Sequence, residues 1–282
     1  MKKLKKPLAA AALAAGLLTW YVIENVGGGD AEPVPVPAGT TTGTTADASV
    51  SDLLEIPAPS GGRTVQHGAY VSSYNTKTLI PDWVAYELTA EEAEGRRERD
   101  GIEFRKDPDL RGCTQAMRED YTGSGWTKGH MMPAADAAFN GNAMSETFYF
   151  TNICPQDQTL NAGDWQYLEK RVRSWAKRYG SVWVVTGPIV GTGRYGTIGE
   201  RGVTVPDSFY KALLVRRQDG SYSAIAFVMD NDDERYLLKD CFMSINELER
   251  LTGLDLYPAL DDRIEEKVEE TVKLSDWGIK KN

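Results

Sequence analysis

Short runs in which apolar and polar residues alternate recur along the chain and predict β-strands. The folded part is expected to begin near Arg63, where a low-complexity stretch ends. Residues 70–74 and 83–88 alternate in this way, with a turn at Pro81 and Asp82 between them. Pro155 is expected to end a strand at 148–153, and Gly187 and Pro188 to end a buried one at 182–186. Two more strands are predicted at 210–215 and 223–229, joined by a turn at 218–220.

Helical spacing is restricted to a few segments. Residues 161–179 place Trp165, Leu168 and Val172 on one side of a predicted helix. Ser244 followed three residues later by Glu247 predicts the capped start of a short helix. Residues 260–274 are acidic and amphipathic and predict a helix or a tail, and residues 90–99 are charged and predict a helix or a loop. Mixed strands with few scattered helices, and no internal repeat, predict an α+β fold.

The N-terminus predicts export. Lysines near the start precede an uncharged run at residues 7–23, which is typical of an export signal. No clean Ala-x-Ala site follows, so residues 1–26 are interpreted as an export signal or an N-terminal membrane anchor, with the protein periplasmic or extracellular. Residues 27–62 are rich in Gly, Pro and Thr and predict a linker. The folded domain is expected to span 63–275.

Composition restricts the function classes. The net charge of −9 argues against a broadly basic nucleic-acid coat, although basic residues dominate 170–217 and acids dominate from Asp230 onward. Two histidines are too few for a His-rich metal cluster. In an oxidising compartment one disulfide is expected among Cys113, Cys154 and Cys241, with the pairing open.

Two features are candidates for chemistry. His130, in the run Thr127-Lys128-Gly129-His130, is a candidate base, against the alternative of a hydrogen-bonded structural histidine. Asn161 and Glu169 are eight residues apart, so on a helix they project from nearly the same face. An amide oxygen suits Mg²⁺ that keeps most of its waters, but Asn161 is also a candidate helix cap.

Three motifs in order resemble the DNA/RNA non-specific endonuclease family. The family has Asp-Arg-Gly-His, then Asn-Ile-x-Pro-Gln, then Leu-Asn-x-Gly-x-Trp-x-x-Leu-Glu. This chain has Gly129-His130, Asn152 to Gln156, and Leu160 to Glu169. The resemblance implies a ββα-metal nuclease fold and covers roughly residues 70–260. Thr127 and Lys128 stand where the family has Asp and Arg, and Lys128 keeps the positive charge without the bidentate fork.

The resemblance also implies a mechanism. His130 would act as the general base in hydrolysis of DNA and RNA, leaving 5′-phosphate ends. Asn161 would hold Mg²⁺, with Mn²⁺ as a substitute, and Glu169 a metal-bound water. Asn152 would position the site, and Lys128 would contact the phosphate. Arg99, with Arg97 as the second candidate, would offset the negative charge that develops in the transition state. The sequence does not indicate the biological role of the protein or whether an inhibitor protein binds it.

One alternative to an enzyme remains, namely a protein that only binds its ligand. A non-catalytic, extracytoplasmic nucleic-acid-binding module would explain the departure at Thr127 and Lys128, but it requires none of His130, Asn161 and Glu169. A serine hydrolase is excluded because the chain has no Gly-x-Ser-x-Gly elbow.

Overall fold

The computed structural model describes residues 53–58 and 61–280, which lie in the compact unit formed by 47–282. Its strands are β1 Arg63–Gln66, β2 Val71–Asn75, β3 Ile80–Thr89, β4 Thr127–His130, β5 Ile153–Gln156, β6 Ser181–Ile189, β7 Thr197–Ile198, β8 Val203–Thr204, β9 Ser208–Arg216, β10 Tyr222–Asp230 and β11 Phe242–Met243. Its helices are α1 Arg118–Tyr121, α2 Gly141–Glu146, α3 Gln158–Leu160, α4 Gln166–Tyr179, α5 Ile245–Thr252 and α6 Asp262–Glu270. Short 3-10 turns span Glu92–Glu94, Phe150–Asn152 and Leu238–Asp240.

The central sheet has seven strands in the order β1-β2-β3-β6-β9-β10-β11, and every pairing within it is antiparallel. Two two-stranded sheets, β4–β5 and β7–β8, stand apart from it. An antiparallel sheet of this size with few helices confirms the predicted α+β class.

Alternation along each strand divides the core between the two faces of the sheet. On β9, Phe209 and Leu213 belong to one apolar cluster, together with Leu168 and Val172 of α4. Ala212 and Leu214 alternate with them and belong to a second cluster, with Ile245 and Leu248 of α5 and Val268 of α6. The sheet is therefore covered on both faces, and Lys211 points to the α4 side.

Four predicted elements differ from the structure. The turn expected at Pro81 and Asp82 lies inside β3, which begins at Ile80. The segment 148–153 is not a strand: a 3-10 turn at Phe150–Asn152 precedes β5, which runs through Pro155. Strand β6 likewise continues through Gly187 and Pro188 to Ile189. Pro155 is tolerated because β4–β5 is only a two-stranded ladder, in which one strand edge needs no N–H donor.

The helix predicted from residue 161 starts differently. Asn161–Trp165 form one wide helical turn, in which Gly163 leaves helical geometry at φ −110 and ψ −105, and the regular helix α4 begins at Gln166. The predicted capping box is confirmed, since Ser244 Oγ accepts the Glu247 N–H at 3.2 Å and Glu247 accepts the Ser244 N–H at 2.8 Å.

The predicted signal at 1–26 lies outside the described residues, as does most of the predicted linker at 27–62. Among the residues that are described, no helix is both long and apolar enough to cross a membrane.

The expected disulfide is absent. All three cysteines are free thiols: Cys154 and Cys241 are buried and Cys113 is partly exposed. The prediction rested on an oxidising compartment, which does not bring two sulfur atoms within bonding distance.

Candidate active site

A short hairpin and the helix after it position most of the predicted site residues. His130 ends β4 and pairs with Ile153 at the start of β5. Gly129 must lack a side chain, because a Cβ there would overlap the side chain of Gln156 on the neighbouring strand. After β5 the chain turns through α3 into the wide turn that begins with Asn161. Residues distant in sequence thus meet along one side of the hairpin.

Two adjoining cavities, of about 430 and 630 Å³, open along this side of the hairpin. Arg99, His130 and Asn161 line both of them. Arg97 and Glu169 line only the smaller cavity, and Lys128 only the larger. We refer to the pair of cavities as the groove. The structure therefore brings together every predicted site residue except Asn152.

His130 sits in an aromatic pocket. Its ring centroid lies 5.4 Å from that of Phe104 and 4.9 Å from that of Phe148, which it meets edge-on. Nε2 is enclosed and has no hydrogen-bond partner among the described residues. Burial, with a smaller contribution from the charge of Arg99, lowers the pKa of His130 to about 3. The imidazole is therefore neutral at pH 7 and has a lone pair to accept a proton.

Asn161 is held by a hydrogen bond to β4. Its Nδ2 donates to Thr127 Oγ1 at 3.0 Å, and Thr127 Oγ1 donates in turn to the Gln156 carbonyl at 2.7 Å. The helix cap is Asp157, whose carboxylate accepts N–H groups at 2.7 and 3.2 Å, so Asn161 does not serve as the cap. Asn161 Oδ1 makes no hydrogen bond within the described chain, and this oxygen is free to bind a cation in the groove.

Glu169 borders a group of buried charges. Lys211 is fully buried, lies 5.0 Å from the Trp165 ring and donates to the Met131 carbonyl at 3.3 Å. Burial raises the pKa of Glu169 and lowers that of Lys211, while the attraction between the two opposes both shifts. Asp136, also fully buried, accepts hydrogen bonds from Arg173 at 2.6 Å and Tyr86 at 2.9 Å.

Sequence reasoning missed this group of Asp136, Arg173 and Lys211. One signal was present, because Lys211 is the only charged residue between Phe209 and Val215 in an otherwise apolar strand. A buried lysine requires a compensating carboxylate, which is here supplied from the helix and from the loop after β4.

Asn152 lies beneath the groove instead of lining it. Its buried amide accepts the Met132 N–H at 2.8 Å and donates to the carbonyls of Met132 and Thr147 at 2.9 and 2.8 Å. Its own carbonyl accepts the Met131 N–H at 2.9 Å. These bonds fix the chain immediately after His130, so Asn152 can influence the base only through geometry.

The cations of the groove differ in their surroundings. Lys128 Nζ lies 5.5 Å from the Phe104 ring and 5.2 Å from the Tyr121 ring, and burial, with the charge of Arg118, lowers its pKa. Arg99 is exposed, lines both cavities and acts on the charge of His130, whereas Arg97 reaches only the smaller one. The geometry favours Arg99 over Arg97 as the cation nearest the base.

A second cluster contains residues of types that can bind a metal. The ligand atoms of His67, Asp107 and Asp109 lie within 4.8 Å of one another. None of these residues lines the groove. Asp107 Oδ2 already accepts from Thr151 at 2.6 Å and bonds His67 Nε2 at 2.9 Å, and Oδ1 accepts the Asp109 N–H at 2.9 Å. These bonds occupy the carboxylate, so the group braces the segment before Asn152.

An antiparallel α+β fold with a neutral histidine, a free amide oxygen and cations around one groove defines a nuclease-type site. Comparison with known proteins agrees. The DNA/RNA non-specific endonuclease family matches residues 49–263. The chain belongs to this family, as the three motifs predicted.

Individual relatives show the extent of the similarity. Mitochondrial nuclease EXOG of Homo sapiens is 37% identical over 67% of this chain, which spans 55% of that relative. Mitochondrial endonuclease G of Bos taurus is 31% identical over 80% of each chain. A solved EndoG/EndoGI complex superposes with a TM-score of 0.70 and 26% identity, covering 81% of this chain and 97% of that one. The chain therefore spans little more than half the length of EXOG.

The same relatives correct the predicted location. Both are named as mitochondrial, which contradicts the expectation of a periplasmic or extracellular protein. The expectation rested on four lysines before an apolar run, with no acidic residue before Glu24. Mitochondrial targeting segments are also basic and poor in acids, so these two features do not distinguish the two destinations.

Proposed function

We propose that this chain is a metal-dependent endonuclease that hydrolyses phosphodiester bonds in DNA and RNA on a ββα-metal site. The observation that carries the proposal is the convergence of His130, Asn161 and Arg99 on one groove. A base, a hard oxygen ligand and a free cation are the three groups that hydrolysis of a phosphodiester requires.

The metal fits the donors that the chain offers. Asn161 Oδ1 has no other partner within the described chain, and Glu169 adds a carboxylate to the same cavity. One or two oxygen ligands suit Mg²⁺, which keeps several waters, and Mn²⁺ can replace it. When bound there, the ion would polarise the phosphoryl group and stabilise the leaving 3′ oxygen.

The protein groups act around the scissile phosphate. His130 accepts a proton from the attacking water, which its neutral state permits at any pH well above 3. Arg99 offsets the charge that develops on the phosphate oxygens, and Lys128 binds a neighbouring phosphate. Asn152 keeps His130 in place, and Glu169 would orient a water held by the ion. Departure of the 3′ oxygen leaves a 5′-phosphate end.

Substrate and partners follow from the same groove. Contacts to backbone phosphates carry no sequence information, so both DNA and RNA are substrates in this proposal. The similar solved structure is a complex of EndoG with EndoGI, and an inhibitor protein that covers this groove belongs to the proposal. The names of the relatives support a mitochondrial location, which imaging of the tagged full chain would test.

The test is cleavage of plasmid DNA and of a labelled RNA by the full chain, with Mg²⁺ and with EDTA. We expect His130→Ala to lower the rate about 10²–10⁴-fold and Asn161→Ala to weaken the Mg²⁺ dependence, while substrate binding persists. Asn142→Ala is the matched control, because Asn142 is exposed and lines neither cavity. Binding without Mg²⁺-dependent cleavage by the wild type would favour the non-catalytic binding module.

A further inference from the structure

The larger cavity has an aromatic wall that the proposed hydrolysis does not use. Trp126 lines this cavity and is only partly buried. Its ring meets that of Tyr195 nearly edge-on, with the centroids 5.0 Å apart at 66°. The Arg194 guanidinium lies 4.9 Å from the centroid of Tyr195. A tryptophan supported from one side therefore faces an open space beside the candidate base.

The wall is fixed before any ligand arrives. Trp126 follows a tight turn in which Gly123 and Gly125 have positive φ. The backbone N–H of Trp126 donates to Ser124 Oγ at 3.1 Å, and the Ser124 hydroxyl donates to the Tyr121 carbonyl at 2.9 Å. The backbone at Trp126 is thus tied to the end of α1, so the ring needs little ordering when a ligand binds.

Tyr195, which packs against Trp126 but does not line the cavity, is anchored separately. Tyr195 precedes the small β7–β8 hairpin, and this hairpin is held to the end of α1 by Arg201, which donates to the buried Asp120 at 3.0 Å. Gly199 in the same hairpin touches Asp120 so closely that a Cβ there would overlap its side chain. Both aromatic residues are therefore fixed to the same short helix.

Trp126 also stands in line with the reacting groups. It precedes β4, four residues before His130, and an extended chain of that length spans at most about 14 Å. Lys128 lies between the two residues and lines the same cavity. A nucleic-acid strand whose phosphate reaches His130 and Lys128 would carry its next bases past the indole within a few nucleotides.

We propose that Trp126 is a stacking site for an unpaired nucleobase of the substrate strand. This inference rests on the proposed function and adds a preference within it. Bases inside a duplex are already stacked on both faces, whereas a base in a single strand or a frayed end has a free face. The enzyme therefore binds single-stranded DNA or RNA, or locally open duplex, more tightly than intact duplex at this subsite.

Binding is measured by fluorescence anisotropy on the full chain carrying His130→Ala, which removes the base and slows cleavage. The probes are a labelled single-stranded oligonucleotide, the same strand with every base replaced by an abasic sugar, and the duplex. Trp126→Leu keeps an apolar contact with Tyr195 and removes the flat ring, and Trp126→Phe restores a smaller ring. The matched control is Tyr167→Ala, because Tyr167 is 52% exposed and lines neither cavity.

We expect Trp126→Leu to weaken binding of the normal single strand about 5- to 150-fold, with partial recovery in Trp126→Phe. Binding of the abasic strand and of duplex should change little, and so should the salt dependence, because no phosphate contact is lost. An equal loss for the normal and the abasic strand, or no loss for either, would overturn the proposal. Thermal unfolding of each variant identifies any loss that comes from misfolding, and Trp126→Phe then carries the test.

Failure of this inference and failure of the proposed function have different signatures. Wild-type protein is assayed in parallel for Mg²⁺-dependent cleavage of the same normal strand. Cleavage that Trp126→Leu leaves unchanged, together with unchanged binding, rejects the stacking site alone. Absence of any cleavage by the wild type rejects the proposed function.

Discussion

Replacing Thr127 by valine should weaken metal binding without removing any proposed ligand. Thr127 Oγ1 accepts the Asn161 amide at 3.0 Å and donates to the Gln156 carbonyl at 2.7 Å. The valine side chain has nearly the same shape but no hydroxyl, so the Asn161 amide loses the only acceptor that the described chain gives it. The amide can then rotate and turn its oxygen away from the groove.

The magnitude follows from these two bonds. Removing a partner that orients a metal ligand typically costs 10- to 100-fold in metal affinity. Each lost hydrogen bond contributes about 0.5–1.5 kcal/mol to stability, and the partly exposed site lets water replace part of that. We therefore expect the midpoint of the Mg²⁺ titration to rise about 10- to 100-fold, with Tm falling by only a few degrees.

Two measurements check this expectation: cleavage rate against Mg²⁺ concentration, and the rise in Tm that Mg²⁺ produces. Thr127→Ser keeps the hydroxyl and should behave as wild type, and Thr127→Asp restores the carboxylate of the family motif. Thr122→Val is the matched control, since Thr122 is exposed and its hydroxyl donates one hydrogen bond, to the Arg118 carbonyl outside the groove. A Thr127→Val midpoint equal to that of the wild type would refute the orienting role.

Three further predictions concern stability and substrate binding. Asn152→Ala deletes three hydrogen bonds of a buried amide and should lower the free energy of unfolding by about 2–4 kcal/mol in urea titrations; an unchanged midpoint would contradict it. Lys128→Ala should lower cleavage less than His130→Ala and make the salt dependence of binding shallower by about one ion, whereas Lys128→Arg keeps activity. Hydrogen bonds from Arg235 and the Tyr236 N–H outweigh burial and lower the pKa of Asp164, so this carboxylate stabilises the fold above about pH 4 and loses that effect as the pH falls further; Asp164→Asn should destabilise at pH 7 and progressively less below about pH 4, as thermal unfolding would show.

The grouping of the candidate site residues was predictable mainly through the family resemblance, which implies that three motifs meet at one site. The sequence did not indicate how they meet. The structure shows β4 paired with β5, with His130 opposite Ile153. The capped start at Ser244 was predictable from the sequence itself, because capping depends only on residues within one turn.

The features that could not be predicted from the sequence depend on contacts with residues far away in the chain. Pro155 and Pro188 were expected to end strands, but whether a missing N–H matters depends on which strand edge faces a neighbour. Lys211 could be noticed in its apolar strand, yet its attraction to Glu169 depends on how α4 packs on the sheet. The disulfide expectation failed for the same reason, since separation in space is not encoded locally.

The groove joins two environments that act on charge in opposite ways. On one side, Phe104 and Phe148 bury the His130 ring, and the cost of charging it there keeps the base neutral. On the other side, burial raises the pKa of Glu169, the opposite shift to that of His130, and the buried positive charge of Lys211 opposes this rise without cancelling it. Neither shift would follow from the residue type alone. Phe104, Phe148 and Lys211 lie outside the family's three motifs, and they help to set the protonation of the motif residues.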